Sequence, residues 1–168
     1  MSKVKLKIPK FNGERLFYFL LSFIITFGAA IISSIWAKNT KGTYELLKKP
    51  YFAPPPIVFP IVWNILFVLM AYALYRVWRD IKKKPENRRA IKLYFIQLLL
   101  NFLWSPIFFG LNLRFIAFIV LIFLWIFIAL TLKEFYKRDK LAGILLIPYL
   151  LWVTFAGVLN FSIWFLNA

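Results

Sequence analysis

Uncharged hydrophobic runs alternate with short polar segments along almost the whole chain. Five runs approach or exceed the ~20 residues that a helix needs to cross a ~30 Å hydrocarbon core. The pattern therefore predicts an all-α membrane protein, a bundle of five transmembrane helices. The predicted spans cover approximately residues 16–37, 57–78, 93–113, 115–132 and 141–165.

The segments between the runs predict how the spans are connected. Residues 1–15 form a basic N-terminal tail, and residues 16–168 form one transmembrane domain. The first connection, residues 38–56, is the longest, and its polar part is expected to form a helical turn that ends before Pro50. The third connection, "GLNLRF", is so short that spans three and four must form an antiparallel hairpin.

Composition and charge support the membrane class. Hydrophobic residues make up 62% of the chain, and the mean hydropathy is +0.76, more than a soluble domain of this size can bury. The net charge of +16 would suggest nucleic-acid binding in a soluble protein, but the basic residues lie almost entirely outside the spans. We therefore interpret the charge as membrane topology and expect no nucleic-acid partner.

The basic residues are unevenly divided between the two ends of the bundle. Seventeen of the 22 lie in the tail and in the second and fourth connections, which share one end, here called the basic end. The positive-inside rule places this end, and the N-terminus, in the cytoplasm. Its cations are expected to lie against anionic lipid headgroups, so membrane lipid is a predicted partner.

Several kinds of chemistry are missing from the predicted membrane interior. The sequence contains no Cys and no His, and Arg76, near a span end, is the one residue within the predicted spans that is an Asp, Glu, Lys or Arg. This argues against proton-coupled transport, a metal site and haem with axial His or Cys ligands. We expect no required cofactor and no conventional enzyme chemistry.

Aromatic and amide side chains recur at helical spacing in three spans, which places each set on one helix face. Buried amides need partners, so these faces should point into the bundle. Two interpretations remain open: an aromatic ligand cavity, or amides that join helices and tryptophans that anchor them, as expected for Trp36, Trp78 and Trp164. The three sets are Pro60, Trp63 and Phe67; Gln97, Asn101, Trp104 and Phe108; and Tyr149, Trp152, Ala156 and Asn160.

Three longer stretches resemble a known family. They are "KKPYFAPPPIVFPIVWNILFVLMAYALYRVW", "QLLLNFLWSPIFFG" and "LLIPYLLWVTFAGVLNFSIWFLN". Their order and spacing are similar to the TspO/MBR family of tryptophan-rich sensory proteins, which is related to the mitochondrial translocator protein or peripheral benzodiazepine receptor. The resemblance implies an internal pocket capped by the first connection. It also implies a tetrapyrrole ligand such as protoporphyrin IX or haem, frequent homodimers and a bacterial plasma membrane location.

The resemblance also implies which residues bind the ligand. The matching positions are Tyr44, Trp63, Phe67, Asn101, Trp104, Trp152 and Ala156. Thr43 and Phe52 stand where the family usually has tryptophan, so the first connection has two fewer indoles. The C-terminal "VLNFSIWFLNA" lacks the Tyr and basic residue of the family's sterol-recognition stretch, so sterol binding is not expected there.

Three functional hypotheses follow. The first is a membrane protein that binds protoporphyrin IX or another apolar aromatic molecule, with a sensing or transport-linked role. In this hypothesis Lys48 and Lys49, near the mouth of the implied pocket, are candidates to bind the propionate groups of the porphyrin. The second is a light- and oxygen-dependent porphyrin-degrading enzyme that uses Trp63 and Trp152. The third is a non-catalytic regulatory or structural membrane protein.

Overall fold

The computed structural model describes residues 13–37 and 40–168, and every regular element within those ranges is helical. Five helical segments are long and apolar enough to cross a membrane, which confirms the predicted five-helix, all-α architecture. The described residues form seven α-helices: α1 Gly13–Ala37, α2 Thr40–Leu46, α3 Val58–Trp78, α4 Asn87–Ser105, α5 Arg114–Arg138, α6 Lys140–Ile144 and α7 Ile147–Leu166. A single π-helical turn, Pro106–Gly110, extends α4.

At the basic end, the helices continue past the predicted spans. α4 begins at Asn87 instead of residue 93, and α5 ends at Arg138 instead of residue 132. Hydropathy marks the part of a helix that lies in lipid, whereas Lys, Arg and Glu are good helix formers that extend it into the headgroup layer. α1 begins at Gly13, inside the predicted tail, whose residues 1–12 lie outside the described part of the chain.

The fifth span is interrupted near its start, although the sequence pattern predicted one continuous helix. The short helix α6 ends at Ile144, and α7 begins three residues later with Pro148 in its first turn. Proline has no N–H to donate to the carbonyl four residues earlier, so α6 cannot continue into α7 without a break. A proline in the first turn of α7 costs little, because those N–H groups have no helical partner.

The hydrophobic core fills the half of the bundle nearer the basic end. α3, α4, α5 and α7 contribute large side chains that are fully buried there, including Met70, Leu74, Tyr94, Phe135 and Tyr149. These five side chains have no exposed surface, so this half of the bundle has a closed core.

α1 attaches to the bundle differently, through small hydroxyl side chains. Its buried positions are Ser22, Thr26, Ser33 and Ala37. The Thr26 hydroxyl forms a 2.8 Å hydrogen bond with the Tyr94 hydroxyl, and the Ser33 hydroxyl donates to the Phe102 carbonyl at 2.7 Å. Short side chains let the helix backbones approach closely, as is usual between membrane helices.

Asp139 joins three helices at the basic end. Its Oδ2 lies 2.8 Å from the Arg76 guanidinium on α3, and its Oδ1 accepts a 3.0 Å hydrogen bond from the Ala142 N–H. The carboxylate therefore caps the start of α6 and at the same time ties the junction of α5 and α6 to α3.

Asp139 is expected to make stability depend on pH. Burial disfavours its carboxylate, but the hydrogen bonds from Arg76 and Ala142 outweigh burial and lower the pKa of Asp139 below its usual value. A lowered pKa stabilises the fold above the unfolded pKa of ~3.9, and this contribution is lost as the pH falls through the folded pKa. We expect D139N to lose about 1–2 kcal/mol at pH 7 in thermal unfolding in detergent. The difference from the parent should shrink below pH 4.

The matched control for this prediction is D80N. Asp80 lies at the same end, but its carboxylate is 3.7 Å from the Arg79 guanidinium and caps no helix. Equal destabilisation by D80N and D139N, or a D139N effect that is unchanged at low pH, would contradict the assigned role of Asp139.

Candidate functional site

A cavity of about 430 Å³ lies in the half of the bundle opposite the basic end. The C-terminal part of α1, the N-terminal part of α3 and the C-terminal part of α4 surround it, and α2 covers it. Its volume is in the range of ~300–1,000 Å³ that is typical of small-molecule sites.

The cavity has two contrasting walls. On the α3 side, the rings of Trp63 and Phe67 stack with centroids 5.4 Å apart and planes 24° from parallel. On the α1 side, the lining residues are small: Ala30, Ser33 and Ser34. An aromatic surface facing a surface of short side chains forms a slot, the shape that suits a flat aromatic ligand.

A hydrogen-bonded relay of three side chains reaches the cavity through Asn101, which is the member that lines it. The Asn101 amide Nδ2 donates to the Tyr149 hydroxyl at 2.8 Å, and this hydroxyl donates to the Gln97 Oε1 at 2.9 Å. All three residues are buried, as the sequence predicted for the two amides. The Asn101 nitrogen can only donate, and it donates to Tyr149. The Asn101 side-chain oxygen is therefore the group that can accept a hydrogen bond from a bound molecule.

The lid over the cavity is α2, which confirms the helical turn predicted for the first connection. Tyr44 is buried, its ring packs edge-on against Phe59 at 5.1 Å, and its hydroxyl donates to the Pro54 carbonyl at 3.0 Å. The Lys49 ammonium donates to the carbonyls of Tyr44, Glu45 and Leu47, each at 3.0 Å, and so caps the C-terminal end of α2. Lys48 and Lys49 were expected near ligand carboxylates, but neither lines the cavity, and Lys41 is the lysine that lines it among the residues that the structure describes.

A clamp ties the lid to the end of α7. The Asn167 side chain accepts a 3.0 Å hydrogen bond from the Lys48 N–H and donates a 2.9 Å hydrogen bond to the Lys48 carbonyl. The two residues are 119 positions apart, so no local sequence pattern pointed to this contact.

Removing the clamp is expected to speed ligand release. N167A deletes both hydrogen bonds to Lys48, which are exposed and together worth about 1 kcal/mol, so a ligand beneath the lid should dissociate roughly 5-fold faster. Stopped-flow dissociation of protoporphyrin IX measures this rate. S162A is the control, because the Ser162 hydroxyl bonds only within α7, to the Val158 carbonyl. An N167A rate equal to that of S162A would show that the clamp does not hold the lid.

The structure places the seven predicted ligand residues in two groups. Tyr44, Trp63, Phe67, Asn101 and Trp104 line the cavity. Trp152 packs behind the wall, with its ring 6.1 Å from that of Phe59, and Ala156 is buried on the same helix. Ligand contact by all seven residues stays a prediction.

Some cavity residues were missed by sequence reasoning. The serines of α1 fit ordinary close helix packing, and Phe59 and Phe109 are two among twenty phenylalanines, with no distinguishing spacing. Their contribution appears only when α1 packs beside α3 and α4. The missed lining residues with the clearest roles are Ser33, Ser34, Lys41, Phe59 and Phe109.

Comparison with known protein families identifies the family of this chain. Residues 20–165 match the TspO/MBR family. The chain belongs to the TspO/MBR family. As a TspO/MBR chain with five apolar spans it is an integral membrane protein.

Named relatives of this TspO/MBR chain come from bacteria and animals. It is 43% identical to the tryptophan-rich protein TspO of Chlorobaculum tepidum over 80% of this chain and 85% of that protein. It is 37% identical to the tryptophan-rich sensory protein of Cereibacter sphaeroides, over 88% and 90% of the two chains. It is also 37% identical to the human translocator protein over 72% of each chain.

Proposed function

We propose that this membrane protein binds a tetrapyrrole, such as protoporphyrin IX, in the cavity beneath α2, with a sensing or transport-linked role in a bacterial plasma membrane. The observation that carries the proposal is the slot itself. The stacked rings of Trp63 and Phe67 and the small residues of α1 line the same cavity, whose volume is about 430 Å³.

Polar groups in the slot suit the same ligand class. A porphyrin is a flat apolar ring with N–H groups at its centre and carboxylates on one edge. Lys41 at the mouth carries the charge that matches a carboxylate on the edge of the ring. The names of the relatives, which refer to sensing and translocation, support the proposed role.

The direct test is a titration of detergent-solubilised protein with protoporphyrin IX in the dark. Tryptophan quenching and the porphyrin absorbance band should both saturate at the same stoichiometry, because Trp63 and Trp104 line the site. S34F, which fills the slot from the α1 side, should abolish saturable binding. The control I35F changes the neighbouring residue, whose side chain is 65% exposed on the outer face of the helix.

The outcomes separate the functional hypotheses. Unsaturable quenching, or equal affinity in S34F and I35F, would reject the proposed site and favour a regulatory or structural protein. Illumination of the same complex in air tests the degrading activity, which is favoured by the position of Trp63 in the wall. If the protein degrades porphyrin, the absorbance of the complex should fall faster than that of free porphyrin. In W63F the absorbance should fall no faster than that of free porphyrin.

A further inference from the structure

A second depression, of about 340 Å³, lies at the basic end, far from the lid. It is a groove between the end of α3, the second connection and the first turns of α4. Its lining combines two cations with four apolar side chains. None of these residues is among the proposed tetrapyrrole contacts. The lining residues are Trp78, Ile81, Arg88, Ile91, Lys92 and Phe95.

The two cations of this basic groove lie together and are not neutralised. Arg88 and Lys92 are four residues apart on α4, so they project from the same face one turn apart. Both are exposed, and neither forms an ion pair with a carboxylate of residues 13–37 or 40–168. The nearby Lys82 and Arg76, in contrast, are paired with Glu14 and Asp139.

Aromatic residues set the level of the groove in the membrane. The Trp78 ring packs edge-on against Phe95 at 5.6 Å, and it packs at a tilt of 44° against Tyr18 of α1 at 5.7 Å. Trp and Tyr side chains concentrate at the boundary between headgroups and hydrocarbon. The groove therefore runs from Arg88 at its polar rim to Phe95, nearly two helical turns deeper on α4.

We propose that this groove binds one anionic phospholipid. The headgroup phosphate would meet Arg88 and Lys92, and the start of an acyl chain would lie along Ile81, Ile91 and Phe95. An anionic lipid fits the groove because one molecule supplies both a net negative charge for the rim and an apolar chain for the deeper part. Lipid molecules also surround this surface of a membrane protein. The N-terminal tail is a poor alternative occupant, since residues 1–12 contain four lysines and no acidic residue.

The test is native mass spectrometry of delipidated protein in detergent, titrated with dioleoyl-phosphatidylglycerol. Removing both rim charges in R88Q/K92Q should weaken binding of the first lipid by roughly 10- to 30-fold. K83Q/K84Q is the matched control, because it removes two cations from the same end at positions that do not line the groove. Circular dichroism of each variant establishes that the helices are intact.

Each further comparison distinguishes the proposal from one alternative. Equal losses in R88Q/K92Q and K83Q/K84Q would overturn the proposal in favour of non-specific attraction. Dioleoyl-phosphatidylcholine binding as tightly as phosphatidylglycerol would also overturn it, because the cations would then select nothing. If inorganic phosphate at millimolar concentration displaced the lipid completely, the site would be a free-phosphate site and the acyl slot would play no part. Saturable binding of one lipid that resists phosphate supports the proposal.

Discussion

W63A is expected to weaken protoporphyrin IX binding by about 50-fold, which is the largest loss of affinity expected from one substitution. The indole of Trp63 forms the aromatic wall of the slot and is stacked on Phe67. Its truncation removes both the apolar contact area and the ring stacking, together worth about 2–3 kcal/mol. Dark titration of the porphyrin absorbance band in detergent gives the dissociation constant.

W36A is the matched control for this experiment. Trp36 is also on the lid side of the bundle, but its side chain is 59% exposed and does not line the cavity. W63F, which keeps a ring in the wall, should lose much less affinity than W63A. If W63A and W36A bind porphyrin equally well while both remain folded, the slot is not the porphyrin site.

The second large effect concerns folding. G143A is expected to destabilise the protein by about 3 kcal/mol, because α6 passes directly over the backbone of α5 at this point. A Cβ atom on Gly143 would come within 2.6 Å of the Tyr136 Cα and 2.8 Å of its nitrogen. Backbone atoms cannot rotate away as a flexible side chain can, so the two helices must separate. The thermal unfolding midpoint in detergent should fall by roughly 5–10 °C.

G157A provides the comparison. Gly157 lies on α7, and a Cβ there would meet no atom within 4 Å. Alanine in a helix interior is favoured over glycine by about 1 kcal/mol, so G157A should be neutral or slightly stabilising. A G143A midpoint as high as that of G157A would show that α6 can shift without cost.

Sequence reasoning succeeded where the determining interaction is local. The five spans follow from hydrophobic length alone, and the interior positions of Gln97, Asn101 and Asn160 follow from the cost of leaving an amide unpaired in lipid. The Trp63 and Trp104 faces were also predictable, because a helical period of 3.6 residues fixes which side chains share a face.

The features that the sequence did not predict depend on departures from the 3.6-residue helical period or on contacts between residues far apart in the chain. Phe108 shares a face with Trp104, as predicted, and its ring stacks on the Trp104 ring at 5.4 Å, but it does not line the cavity. Phe109, which the pattern did not single out, lines the cavity at a π-helical turn in which the Leu111 N–H reaches the Pro106 carbonyl five residues earlier. Side chains near this turn are displaced around the helix axis, and no residue pattern announced it.

The cavity ends at the Asn101–Tyr149–Gln97 relay, and beneath the relay lies the close-packed core around Met70 and Tyr94. Any molecule that moved from the cavity toward the basic end would have to pass this relay and this core. Carrying it across the bilayer by that route would therefore require the helices there to part. Detecting that the cavity is occupied requires no such rearrangement.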